Sequence, residues 1–147
     1  MIGLVYYNEL HQKGSLGCWA SVARSFGANQ LILVGNQALP RSSTQIGKTL
    51  GIFHYPTLAE VINAYTDTSL VWYVPSIEGS VPYTELEYPT TNTLYVFPPD
   101  MEDMEDMDIT GHNMFVHIPT AGDVTPRALS AASIILQHRY SQELARV

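Results

Sequence analysis

The chain has 147 residues, of which 46% are hydrophobic and 14% charged, and its 14 acids against 7 bases give a net charge of −7. That length and apolar content support one domain with a well-buried core, and the acidic balance excludes broad non-specific binding to nucleic acid, which needs basic surface. The single cysteine, Cys18, excludes an intrachain disulfide and a cysteine-rich zinc site. No apolar run approaches a membrane span and no basic-then-apolar leader opens the chain, so a cytoplasmic location is expected.

Residues 2–7 are apolar and β-rich, a buried first strand, and 8–17 form a polar loop with two glycines. In 18–26, Trp19, Val22, Ala23 and Phe26 fall at i, i+3, i+4 and i+7, one helical face, and Gly27 ends the helix as a C′ residue. Residues 31–34 form a second strand, so the chain opens as strand–helix–strand, which implies parallel pairing. Residues 37–55 are polar and glycine-containing, with a basic pair at Arg41 and Lys48. Pro56 and Thr57 open a helix over 58–65, with Leu58, Val61, Ile62 and Tyr65 on one side. Strands are expected at 70–74, 93–97 and 114–118, with a turn-rich acidic stretch at 76–91. The result is an α/β class with a mostly parallel sheet, helices on both faces and one domain over 1–147.

Residues 100–108 hold six of the acids and three methionines at every third position. They lack the ligand spacing and the turn glycine of an EF-hand, and read as a solvated acidic face over packed methionines, with no metal site. No Lys or Arg occurs between Lys48 and Arg127, so any basic footprint draws on Lys13, Arg24, Arg41, Lys48, Arg127, Arg139 and Arg146.

The last strand is stopped by Pro119 and Gly122. Thr125 sits where an N-cap hydroxyl belongs, Pro126 takes the first helical position, and Ala128, Ala131, Ala132 and Ile135 continue with helical spacing. Leu129, Ile134 and Leu136 widen the stripe, so most of this helix is buried. Arg127 then stands in the first turn, a cation where the helix dipole favours an anion. Two readings stay open: a solvated arginine or one paired with Asp123, and an arginine facing an anionic ligand.

Three segments, taken in order, resemble the SpoU/TrmH-type RNA methyltransferases of the SPOUT superfamily. The first runs from Gly17 through the amphipathic helix and Phe26-Gly27 to the strand ending at Val34. The second is Leu94-Tyr95-Val96-Phe97-Pro98-Pro99-Asp100, similar to a strand ending in Gly-x-Glu. The third is a strand ending Ile118-Pro119, a loop, and an Ala-rich helix followed by Arg139-Tyr140. The resemblance implies a trefoil knot at the C-terminal end, S-adenosylmethionine as cofactor, and a homodimer whose active site is shared between chains. Ligands in an open α/β sheet lie outside the carboxyl ends of strands. The cofactor pocket is therefore expected at Val74 and Pro75, at Phe97, Pro98, Pro99 and Asp100, at Ile118, Pro119 and Thr120, and at Thr125, Ala128 and Leu129.

The polar positions depart from the family. Its first-motif asparagine and arginine correspond to Ser15 and Ser21, its second-motif glycine and glutamate to Pro98 and Asp100, and its Ser-Leu-Asn to Thr125-Pro126-Arg127. Arg24 lies one helical turn beyond Ser21 on the same outward side, and with Arg127 is the candidate catalytic group. Lys13, Arg24, Arg41 and Lys48 are the candidate RNA contacts. The expected activity is transfer of a methyl group to a ribose 2′-hydroxyl of tRNA or rRNA, which needs alignment, proton removal and phosphate binding. The alternative is a catalytically degenerate dimer serving as a binding or structural subunit; an unrelated α/β binding domain is a third reading. No membrane or DNA partner is expected.

Overall fold

The computed structural model describes residues 1–7, 15–35, 50–74, 79–98, 113–122 and 125–146. Within them lie β1 (Ile2–Tyr7), α1 (Ser15–Ser25), β2 (Gln30–Val34), β3 (Gly51–Tyr55), α2 (Leu58–Ala64), β4 (Ser69–Tyr73), β5 (Val81–Pro82), β6 (Thr93–Phe97), β7 (Asn113–His117) and α3 (Ala128–Ala145). The strands form one sheet in the order β3-β2-β1-β6-β4-β7-β5, and every pairing is parallel. The central strands β1, β4 and β6 read as nearly continuous apolar runs because both of their faces are covered, as a parallel sheet requires.

Alternation along each strand builds two cores. Leu4, Tyr6, Leu31, Leu33, Val71, Tyr73, Tyr95, Phe97 and Val116 face α1 and α3. Val5, Ile32, Val34, Leu70, Trp72, Val74, Leu94 and Val96 face Leu58 and Val61 of α2. In α1, Trp19 and Ala23 are buried while Ser21 and Arg24 are exposed, as the spacing predicts. Gly27 closes that helix at φ 80°, a left-handed conformation that a Cβ would strain. Thr57 caps α2 by accepting from the Glu60 amide at 3.3 Å.

Three expectations are corrected. The stretch ending at Tyr55, where no strand is expected, contains strand β3, which pairs with β2 in register Gln30↔Gly51 to Val34↔Tyr55. It is an edge strand, with Phe53 and His54 exposed, so it lacks the buried pattern that marks β1 and β2. The turn-rich stretch contains β5, two residues paired to Val116 and His117 at the other edge, where a proline is tolerated because no ladder amide is needed.

The third correction concerns the start of α3. The N-cap is Arg127, at φ −65° and ψ 159°, and neither Thr125 nor Pro126 is helical. Arg127 O accepts the Ala131 amide at 2.9 Å, so the helical ladder begins one residue beyond Pro126. Thr125 is therefore too far back to cap, and Arg127 makes no side-chain cap bond. The first turn holds no acid either, so the positive end of the helix dipole is left without a local anion from its own first turn. The acidic stretch 100–108 and the Asp123 partner considered for Arg127 lie outside the described residues.

Candidate functional site

Because the strands are parallel, their carboxyl ends share one edge of the sheet. β6, β4 and β7 are neighbours, with Trp72 opposite Val96 and Tyr73 opposite Val116. The Val74 amide extends that ladder by donating to Val116 O at 2.9 Å. Val74, Phe97 and Pro98 thus come together, all buried, beside half-buried Ile118 and exposed Pro119 and Thr120. Thr120 Oγ1 donates to Gly122 O at 3.2 Å and tightens the turn after β7.

The last loop is brought to the same edge by Tyr73. Its hydroxyl donates to Pro126 O at 2.6 Å, fixing the residue before the α3 N-cap against the end of β4. Ala128 and Leu129 then pack half-buried on the α1/α3 core, with Thr125 and Arg127 exposed beside them. So of the expected pocket residues, Val74, Phe97, Pro98, Ile118, Pro119, Thr120, Thr125, Ala128 and Leu129 gather at one edge; Pro75, Pro99 and Asp100 lie outside the described residues. Pro98 and Pro119 offer no amide donor, which leaves the amides of Ile118, Thr120, Ala128 and Leu129 for polar contacts.

Arg24 and Arg127 are not brought together within one chain. The turn after α1 returns to the amino edge, where the Asn29 amide donates to Ile2 O at 2.9 Å. Arg24, in the last turn of α1, therefore stands toward the edge opposite Arg127. Lys13, Arg41 and Lys48 lie outside the described residues.

Two polar groups at the carboxyl edge escape the sequence reading. Tyr73 is one; the signal for it is that a buried tyrosine hydroxyl needs a partner. The other is His117, whose Nδ1 lies 2.9 Å from Ser80 Oγ. Alternation puts that ring on the face of β7 opposite Val116, away from α3.

A second polar cluster lies beneath the later turns of α3. Arg139 is 7% exposed and pairs through Nη2 with Glu143 at 2.9 Å. Its Nη1 faces Gly27, at the C-terminal end of α1, where the helix dipole favours a cation. Neither Nη1 nor the buried Tyr95 hydroxyl has a hydrogen-bond partner among the described residues. Burial pushes the Tyr95 hydroxyl up to about 12, against the pull of the Arg139 charge. Burial also raises Tyr88, with Tyr95 and Tyr83 adding to the effect. The folded chain thus holds its Tyr95 proton where the unfolded chain, at the ordinary tyrosine value of 10.0, releases it. The cluster's contribution is complete below pH 10 and is lost as pH rises toward 12, so melting temperature is expected to fall across that window while tyrosinate absorbance lags behind that of a denatured sample.

No protein-family model matches the sequence, and no curated protein matches it. Solved structures do match. The chain has the fold of SpoU-type RNA methyltransferases. The SpoU methyltransferase AviRb from Streptomyces viridochromogenes superposes with a TM-score of 0.74 at 23% identity, covering 99% of this chain and 61% of that one. The same enzyme in complex with AdoMet gives 0.73. The A. aeolicus TrmH/SpoU tRNA modifying enzyme gives 0.74 at 16% identity over 98% of this chain and 76% of that one. An RNA 2′-O ribose methyltransferase gives 0.75 at 21% identity over 96% and 56%. The chain therefore spans about three fifths of AviRb and of the 2′-O enzyme.

Proposed function

We propose that this chain is a SpoU-type methyltransferase domain that binds S-adenosylmethionine at the carboxyl edge of β6, β4 and β7 and methylates a ribose 2′-hydroxyl of tRNA or rRNA. The observation that carries this reading is the convergence of distant segments, Val74, Phe97–Pro98, Ile118–Thr120 and Thr125–Leu129, in a fold shared with a methyltransferase that is solved with AdoMet. The residues fit such a ligand: half-buried Ile118 and Leu129, on one face of the sheet, offer apolar surface to an adenine, and amides at the start of α3 with Arg127 suit a carboxylate or a phosphate. The family's trefoil knot and homodimer belong to this proposal.

When bound, the cofactor supplies an electrophilic methyl group on a sulfonium. With the cofactor in place, the site would need a group to accept the ribose hydroxyl proton as the methyl is transferred. The strand ends hold the reactants in line and exclude water. Arg127, at the mouth, pairs with negative charge. Arg24 serves this site only from a second copy, since within its own chain it stands toward the opposite edge. Arg24→Ala is expected to suppress RNA binding or turnover while leaving cofactor affinity unchanged.

That opposition of the two arginines also favours a second reading, a dimeric scaffold that keeps the ligand pocket and has lost turnover. Light scattering is expected to show a dimer at micromolar concentration; a clean monomer refutes the shared site. Transfer of a labelled methyl group to RNA, followed by digestion to nucleosides, tests the activity. A labelled 2′-O-methylribose supports the enzyme, label on a base overturns the ribose chemistry, and cofactor binding without transfer selects the scaffold.

A further inference from the structure

Resting on the cofactor reading above, we propose that Tyr73 is a positioning residue whose hydroxyl clamps the start of α3 to the end of β4 and so sets the width of the cofactor site. Tyr73 is 4% exposed and is the last residue of β4, the strand between β6 and β7 whose ends form the other walls. Its ring lies 6.3 Å from that of Phe97, so packing fixes where the hydroxyl points. The acceptor, Pro126 O, is 53 residues away in sequence.

The start of α3 needs an external hold. Pro126 has no amide, its carbonyl lies outside the helical ladder that begins at Arg127 O, and the N-cap supplies no side-chain bond. A helix end without a cap frays, and a ligand that requires it ordered binds more weakly in proportion to the ordered fraction. The Tyr73 hydroxyl ties this end to the strand whose next residue, Val74, carries the backbone ladder to the edge of the sheet where the site lies. Loss of one hydroxyl therefore acts on the distance between the carboxyl ends of β4 and β6 and the Thr125–Leu129 side.

Tyr73→Phe removes the hydroxyl and keeps the ring. The matched comparison is Tyr88→Phe, since Tyr88 is 2% exposed and donates to Tyr83 O at 2.7 Å, within a different segment. Tyr73→Phe is expected to bind S-adenosylhomocysteine roughly five- to tenfold more weakly, the size of one net hydrogen bond, and to speed amide exchange at 131–134, the first amides held by the helical ladder. Tyr88→Phe is expected to lower the melting temperature by a similar amount and to leave both readouts at wild-type values. Wild-type affinity and exchange in Tyr73→Phe overturn the proposal, as does an equal loss of affinity in Tyr88→Phe. If the wild-type chain binds no S-adenosylhomocysteine, the cofactor reading fails by itself. Exchange then decides on the clamp: acceleration confined to the start of α3 upholds it, and no change overturns it.

Discussion

Trp19→Ala is expected to destabilise the fold by about 3–5 kcal/mol, read from the shift in urea midpoint at unchanged slope. Trp19 is 2% exposed and its ring stacks on Tyr6 at 4.5 Å with 12° between planes. It also meets Phe97 at 5.6 Å, and Phe97 meets Tyr73. Truncation leaves a cavity where α1 seats on β1 and β6, and its surroundings are strands that cannot collapse into it. The aromatic row runs from α1 to the residue that holds the start of α3. The same substitution is therefore expected to weaken cofactor binding in the fraction that stays folded, whereas Trp19→Phe keeps most of both.

Arg127→Ala is expected to weaken binding of S-adenosylhomocysteine or of RNA by roughly 1–3 kcal/mol, the range of a hydrogen bond to a charged group. Arg127 is exposed and makes no cap bond, so its loss removes no packing. Standing at the positive end of the α3 dipole, it is a cation whose removal leaves stability unchanged or slightly raised. Binding is measured by calorimetry and stability by thermal melting on the same samples. A lower melting temperature with unchanged binding makes Arg127 a structural partner of an acid instead.

The covered strands were legible because burial on both faces leaves apolar runs: β1 and β6 begin and end where the sequence puts them. α1 was legible from one helical face, although it starts at Ser15, four residues before the apolar spacing begins at Trp19. β3 and β5 were not, since edge strands carry exposed residues and a proline that local pattern assigns to loops. The start of α3 was misplaced because Thr-Pro is a strong local signal for cap and first turn. A tertiary bond from Tyr73 to Pro126 holds that proline outside the helix. The candidate site was half legible. Its strand-end segments follow from the parallel sheet, but a single sequence places neither the arc from Tyr73 to the last loop nor the separation of Arg24 from Arg127.

Calorimetric titration of the wild-type chain with S-adenosylhomocysteine, repeated with S-adenosylmethionine, tests the central claim most directly. Saturable binding at one ligand per chain is predicted, with amide shifts at Val74, Phe97, Ile118, Thr120, Ala128 and Leu129. Absence of binding by a chain that melts cooperatively, or binding that leaves those amides unmoved, contradicts it.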